Sequence, residues 1–427
     1  MPISREQAIE IVRRLSQAGP IEELAARLAP KSAAERPFPP DVPRPSDGGA
    51  TGRDARLEFL RGLGHDLPHL RGAAPAPEPE TLQGNIENYI GMAQMPVGLV
   101  GPLRINGLHA NGDYYVPLAT TEGALVASYH RGARLVTRSG GVSTLTTAEQ
   151  VQRAPGFVFA SLPDAGRFAA WAICQFERMK EVAATRTRHG RLEDLQVHIE
   201  TRTVYLILQY YTGDAAGQNM VTLCTEAVCA DLMARTEIQP THWFVESNMS
   251  GDKKATVLSF LHGRGRKVIA EVTLPRERVT RGLHTTPERM CDYWRMSFVG
   301  GAQSGSIGVS GHVANGLAAL FIACGQDAAC VSEASVGITR MEVTAAGDLW
   351  VGIDLPNLIV GSVGGGTRMP TARECLRILD CEGTGKGARL AEVAAALVLA
   401  GEISIVGALC AGEFARAHAD HGRPNPA

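Results

Sequence analysis

The sequence predicts an α+β protein: a compact ferredoxin-like module inserted into a larger mixed α/β body, behind a small helical N-terminal segment. Three observations predict it. Residues 155–246 run strand, helix, two strands rich in β-branched and aromatic residues, helix, strand, which is the order of a split βαβ unit. The segments on both sides mix short alternating strands with apolar helical runs and show no internal repeat. Residues 1–29 carry helical spacing alone, with Ser4 and Gln7 placed as a capping box and Ile9, Ile11, Val12 and Leu15 along one face.

In chain order, the two amphipathic N-terminal helices give way to residues 30–54, rich in Pro, Gly, Ser and charge. That composition buries too little apolar surface to offset its ordering entropy, so a mobile linker is expected. One more helix is expected over 55–64 and another linker over 68–79. The scattered Gly and Pro of residues 87–105 predict irregular backbone and short strands. The stretch Pro117–Ser128, PLATTEGALVAS, then opens a helix. Thr120 or Thr121 can cap it, Glu122 would sit in its first turn, and partial burial there would raise the acid's pKa toward proton donation. Gly140–Thr144 reads as a turn-rich boundary. Within the module, Asp164 is expected to cap the first helix. Beyond it come a strand at 267–274, a Gly-rich turn and buried helix at 304–324, a strand at 351–360, a tight turn at 363–367 and helices to about His421.

The 427 residues allow two or three domains, and a net charge of −2 gives no reason to expect nucleic acid or an anionic membrane as partner. The longest apolar region, Val393 to Gly412, is interrupted by Glu402, which predicts that neither half spans a bilayer. The opening MPISREQAIEIVRRL lacks the apolar run of a signal peptide, and nine dispersed cysteines without a CxxC pair point to a reducing, cytoplasmic location.

No dinucleotide GxGxxG, P-loop, HExxH, Cys/His cluster or GxSxG is present. What remains is an acid, a lysine, an aspartate and a histidine in separate segments. Glu122 reads most simply as a helix-start acid. Lys253, in GDKK, reads as one of a solvated pair, or as an oxyanion partner in a closed site. Asp327 follows an apolar helix whose dipole disfavours it, so it asks for a partner. His418, near the chain end, is an ordinary surface histidine or a proton donor to a leaving group.

Taken together, ENYIG with PVGLVGPL, PLATTEGALVAS, DAAGQNM, GDKK, IACGQDAA, SVGGGT, AGEISIVGALCAG and AHADHG, in this order from Glu87 to Arg423, resemble the 3-hydroxy-3-methylglutaryl-coenzyme A (HMG-CoA) reductase family, NADP-dependent type. The resemblance implies a large α/β domain of that family's type with an inserted ferredoxin-like NADP-binding domain. It divides the chain into 1–86, 87–146, 147–244 (the insertion) and 245–427. It implies homodimers or higher homo-oligomers with sites between subunits. The reaction implied is a four-electron reduction of a coenzyme A thioester by two NADPH, HMG-CoA to mevalonate, on the way to isoprenoids. Residue by residue, Glu122 would protonate the carbonyl oxygen and Lys253 hold the oxyanion. Asp327 would bridge them, and His418 protonate the CoA thiolate. Thr187 and Arg188 would grip the 2′-phosphate, with Asp214, Gly217, Asn219 and Met220 in the dinucleotide loop. Arg131, Asn248, Lys254, His312 and Asn315 would fall at the substrate.

The chain also departs from the family pattern. Leu145 replaces an arginine that grips the substrate carboxylate, Glu246 replaces a serine, and Arg295 stands for a lysine. Ala216 and Gln218 replace two methionines, and Cys330 and Val331 follow GQDAA. An acid at 246 is expected to repel a dicarboxylate unless Arg295 or Lys254 neutralises it. HMG-CoA is therefore the default substrate, another acyl-CoA the alternative, and a non-catalytic CoA-binding homologue a third reading.

Overall fold

The computed structural model describes residues 5–44 and 49–415. Its strands are β1 (Val97–Gly107), β2 (Asn111–Ala119), β3 (Val142–Arg153), β4 (Gly156–Val158), β5 (Arg191–Glu200), β6 (Thr203–Tyr211), β7 (His242–Phe244), β8 (Gly265–Leu274), β9 (Ile338–Val343) and β10 (Leu349–Leu358). The larger sheet runs β2-β1-β3-β8-β10-β9 and the smaller β7-β4-β6-β5. Every neighbouring pair is antiparallel except β1 and β3. The smaller sheet has the strand order of a split βαβ unit.

One strand belongs to both sheets. The first part of β3 pairs with β1 and β8, and its last residues, Val151–Arg153, pair with Tyr210–Leu208 of β6. An irregularity between Thr146 and Ala148 re-aims the strand between the two. The turn expected at 140–144 is thus confined to Gly140 and Gly141, and β3 runs on without a break.

The helices are α1 (Arg5–Ala18), α2 (Ile21–Leu28), α3 (Ala50–Gly62), α4 (Leu125–Arg138), α5 (Leu162–Cys174), α6 (Phe176–Ala184), α7 (Gln218–Arg235), α8 (Leu258–Leu261), α9 (Arg276–Leu283), α10 (Pro287–Ser304), α11 (Val313–Ala323), α12 (Val331–Ala334), α13 (Pro370–Ile378) and α14 (Gly387–Ala411). The module's first helix is capped by Ser161, which accepts the Asp164 N–H, and it breaks at Gln175 into α5 and α6. β2, β9 and α10 carry no strong periodic signal. α10 even exposes Met296, Phe298 and Val299.

The spine of the larger body is α14, in which every residue from Leu390 to Ser404 is buried. Its Ala- and Leu-rich sequence favours helix, and Gly412, in the left-handed region at φ 71°, ends it. Glu402 does not interrupt it, contrary to the sequence expectation. The helix is long and apolar enough to cross a membrane, yet it lies inside the chain's own core, against α4, α10, α11, β3 and β8. Burial is that close because the partners are small. A Cβ on Gly132 of α4 would sit 1.9 Å from the Ala400 carbonyl oxygen.

Two further expectations are corrected. Residues 30–44 are anchored rather than mobile. The buried Arg104 of β1, paired with Asp113 at 2.8 Å, also donates to the carbonyls of Arg36 (2.8 Å) and Pro37 (2.6 Å). Tyr115 of β2 donates to the Pro40 carbonyl at 2.6 Å, and Val42 is buried. In the stretch expected as a second linker, the His69 and Leu70 N–H groups donate to Glu374, both at 2.8 Å. In each case the anchor lies elsewhere in the chain, where the segment's own composition does not reveal it.

A buried acid needs donors, and Glu392 of α14 has them. Its Oε2 accepts from the His109 and Ala110 N–H groups at 2.8 and 2.7 Å, tying the β1–β2 turn to the spine. Burial raises its pKa from 4.5 to about 7, outweighing those hydrogen bonds. The folded chain therefore holds this proton more tightly than the unfolded chain. The stability it contributes is full below pH 4.5 and lost as pH rises through 7. Denaturant titrations across that range should show the wild type losing up to about 3 kcal/mol relative to Glu392→Gln. A difference that stays constant with pH would contradict this assignment.

Candidate active site

The loop after β7 carries the lysine. Lys253 sits at φ 54°, a left-handed conformation that costs a non-glycine residue about 1 kcal/mol or more. Buried charges over-determine it. Asp252 is paired with Arg153 at 2.8 Å and with Arg264 at 3.0 Å, and Arg264 also grips Glu333 at 2.8 Å. Glu333 in turn accepts the Lys253 N–H at 3.2 Å. Held this way, the Lys253 ammonium meets Asp327 at 2.7 Å. The hydrogen bond to Asp327 raises the lysine pKa against partial burial, so the cation is secure at neutral pH. Asp327, just past α11, also accepts the Ala329 N–H at 3.0 Å and caps the turn that follows.

Glu246 has a partner that the sequence reading did not name. Arg153 pairs with it at 3.2 Å, and it accepts from the Asn248 N–H at 2.7 Å and the Ser250 hydroxyl at 3.0 Å. It is neutralised from within the loop and shapes Asn248, itself at φ 67°. Lys254 donates to the Asp252 carbonyl at 2.9 Å, and Arg295 pairs with Asp292 on the exposed face of α10, so neither serves Glu246. Leu145 sits on β3 opposite Ile269 of β8.

Glu122 lies at the other end of α11. It is exposed in a loop whose turn is closed by Thr120 Oγ1, which accepts the Glu122 N–H at 3.0 Å. α4 begins only at Leu125, after Ala124 at φ 66°, so no threonine caps it and Glu122 is not in its first turn. Asn315 donates to both Glu122 oxygens, at 3.1 and 3.2 Å. Beside them opens a cavity of about 450 Å³, lined by Glu122, Arg131, His312, Asn315, Ile405 and Phe414. Arg131 is held by Ser404, through the hydroxyl at 3.0 Å and the carbonyl at 2.6 Å. His312 stacks on Tyr129 with ring centroids 4.7 Å apart, and burial depresses its pKa to about 4, so the ring is neutral. Its Nε2 is buried and unpartnered, an acceptor available to a ligand O–H or N–H.

One chain therefore holds two separate polar clusters, one at each end of α11. Asn315 stands in the first turn of α11 and Asp327 beyond its last, and about 13 Å of helix axis separates Asn315 from Cys324. Lys253 joins Asp327, and Glu122 joins Asn315. His418 lies outside the described residues.

In the module, Gly217 adopts φ 77° ahead of α7, where a Cβ would meet Thr212 at 2.3 Å. Thr187 contacts the Met220 sulfur at 3.1 Å and accepts the Gly190 N–H at 3.0 Å, packing its loop against the start of α7. Arg188 and Asn219 are exposed beside it. Asp214 is committed elsewhere. Its oxygens accept the Gly385 and Gly387 N–H groups at 2.7 and 3.0 Å, fixing the head of α14. Sequence reading missed Arg153, Arg264 and Glu333. The alternation of Arg264 and Arg266 into an apolar strand was the available signal, since both then face inward.

A sequence profile described as hydroxymethylglutaryl-coenzyme A reductase matches residues 52–423. The 3-hydroxy-3-methylglutaryl-coenzyme A reductase of Methanocaldococcus jannaschii is 40% identical over 384 residues, covering 88% of this chain and 94% of its own. That of Aeropyrum pernix is 44% identical over 345 residues, covering 79% and 82%. The NADPH-bound class II 3-hydroxy-3-methylglutaryl-CoA reductase of Streptococcus pneumoniae superposes with a TM-score of 0.66 at 18% identity, over 83% of this chain and 96% of that one, and so shares the fold. With the profile spanning most of its length, the chain belongs to the hydroxymethylglutaryl-coenzyme A reductase family.

Proposed function

We propose that this chain reduces the HMG-CoA thioester to mevalonate with NADPH, releasing free CoA. The observation that carries the reading is the Lys253–Asp327 pair at 2.7 Å, held on a strained loop by buried charge. In the proposed reaction the Lys253 ammonium stabilises the oxyanion developing at the thioester carbonyl. Glu122 supplies the proton to that oxygen, Asp327 orients the lysine, and His418 protonates the departing thiolate. Because one chain separates Glu122 from Lys253, two copies complete each site, one giving Glu122 and Asn315 and the other Lys253 and Asp327. The exposed Ile86, Ile90, Met92 and Met95 near ENYIG offer an apolar surface for that homodimer.

NADPH, bound twice in succession, would supply one hydride to each of the two reduction steps. The residues fit it: α7 presents free N–H groups after Gly217, and exposed Arg188 forms no ion pair among the described residues. Residues 147–244 are then the dinucleotide-binding unit. CoA phosphates would fit a second cavity of about 740 Å³ lined by Arg44, Arg56, Arg131, Arg134 and Arg138. His130, lining the same cavity, has a buried Nε2 without a partner. The nine cysteines form no disulfide, which supports a cytoplasmic enzyme.

A second reading keeps the chemistry and changes the acyl group. It rests on Leu145, whose side chain cannot donate to a carboxylate. The neutralisation of Glu246 by Arg153 removes the repulsion that sequence alone implied.

Lys253→Ala should lower kcat by about 10²–10³-fold or more without loss of fold, as for other oxyanion donors. Near-wild-type turnover would end the site assignment. Arg188→Ala should raise the NADPH KM about tenfold or more and leave NADH nearly unaffected, since a charge-assisted bond is lost. A wild type preferring NADH would refute that placement. Comparing kcat/KM for HMG-CoA and for 3-hydroxy-3-methylbutanoyl-CoA, which lacks the distal carboxylate, separates the two substrate readings. A preference for HMG-CoA supports the first, and the reverse supports the second.

A further inference from the structure

We infer that Glu402 is a positioning residue for the proposed reduction, clamping the first turn of α11 so that Asn315 is held against Glu122. The inference rests on the reading above for what Glu122 does there. Its geometry is independent of that reading. Glu402 is 1% exposed in the middle of α14. Its Oε1 accepts the His312 N–H at 2.6 Å, its Oε2 accepts the Gly311 N–H, and the Val313 N–H also points at it. These are the orphan donors at the head of α11, where no neighbouring side chain of the helix itself caps them. The His312 carbonyl is fixed in turn by the Tyr129 hydroxyl at 2.8 Å, and Tyr129 is wedged between Gly316, where a Cβ would meet its hydroxyl at 2.2 Å, and Gly401, where one would meet its ring at 2.4 Å. Asn315, whose N–H donates to the same carbonyl at 3.1 Å, faces Glu122 from this clamped turn.

Both Glu402 oxygens accept N–H groups, so only the ionised acid satisfies the turn. A protonated carboxyl, or the amide of Gln, turns a donor against a donor. The titratable groups facing Glu402 are Tyr129 of α4, His312 at the head of α11 and Tyr293 of α10. The strand β8 turns the apolar residues Val268, Ala270, Val272 and Leu274 inward toward the core. Arg131 is engaged two residues on, at Ser404. With the phenols and the imidazole neutral, burial lifts the Glu402 pKa to about 7, which puts release of the clamp within reach of mild acid. The sign is opposite for fold and function: protonation favours the folded chain, ionisation favours the clamped turn.

The test is hydrogen–deuterium exchange of the full-length protein, expressed as protection factors corrected for intrinsic rate, beside NADPH oxidation with HMG-CoA. Glu402→Gln at pH 8.5 should lose protection at the 311–313 amides by tenfold or more while the β8 amides keep theirs. The wild type taken to pH 5.5 should do the same without any substitution. The kcat of the wild type should fall below about pH 7, and that limb should be absent from Glu402→Gln, with the NADPH KM unchanged. Glu392→Gln, which removes the other buried acid of α14 far from α11, should leave the 311–313 amides and the kcat profile as they are. Unchanged exchange at 311–313 both in Glu402→Gln and in the acidified wild type overturns the clamp, even if reduction is intact. A wild type that does not oxidise NADPH with HMG-CoA overturns the proposed reaction instead, and the exchange result alone then decides the clamp.

Discussion

A helix buried from Leu390 to Ser404 can hold a carboxylate there only if donors come to meet it, and that constraint on α14 organises the larger body. Isolated burial of an ionised acid is prohibitive, so each acid recruits backbone N–H groups from a neighbouring segment. Glu392 draws in the turn between β1 and β2, and Glu402 draws in the head of α11. The helix is thus both the apolar core and the fixed frame to which the irregular segments are tied. Small residues make this possible, since Gly132, Gly316 and Gly401 let α4, α11 and the Tyr129 ring approach the spine within contact distance.

The far end of α11 is built on another principle. There the polypeptide is irregular, and position is enforced by a chain of buried charges, Glu246–Arg153–Asp252–Arg264–Glu333. Such a network contributes little net stability, because desolvation offsets most of the attraction. Its effect is geometric: Lys253 and Asn248 stay in left-handed conformations that neither would choose alone. Gln218 extends the network to the start of α7, donating to the Cys330 sulfur at 3.4 Å and accepting from Arg264. Gln218 and Cys330, two of the positions that depart from the family pattern, therefore meet, and the split βαβ module is mechanically joined to the lysine loop.

Much of this was legible in the sequence where local pattern decides structure. The split βαβ module, α11 and β8 follow from periodicity, and the order of short motifs identifies the family. What failed is what depends on remote partners. Residues 30–44 look disordered because Arg104 and Tyr115, which hold them, lie about seventy residues on. Glu246 looks like a repulsive acid because Arg153 is distant in sequence. Glu402 looks like a flaw in an apolar run, since a pattern of hydropathy does not show which N–H groups will converge on it. Glu122 looks like a helix-start acid because nothing local announces the left-handed Ala124 that delays α4 to Leu125.

The central claim is that neither half-site works alone, Glu122 being supplied by one copy and Lys253 by its partner. Mixing Glu122→Gln and Lys253→Ala proteins, each inactive, under conditions of subunit exchange tests it most directly. Random pairing in a two-fold dimer gives mixed dimers with one intact site each, and NADPH oxidation should return to about one quarter of the wild-type rate. No recovery, with exchange verified by a tag on one variant, would place all the chemistry within a single chain and contradict the account.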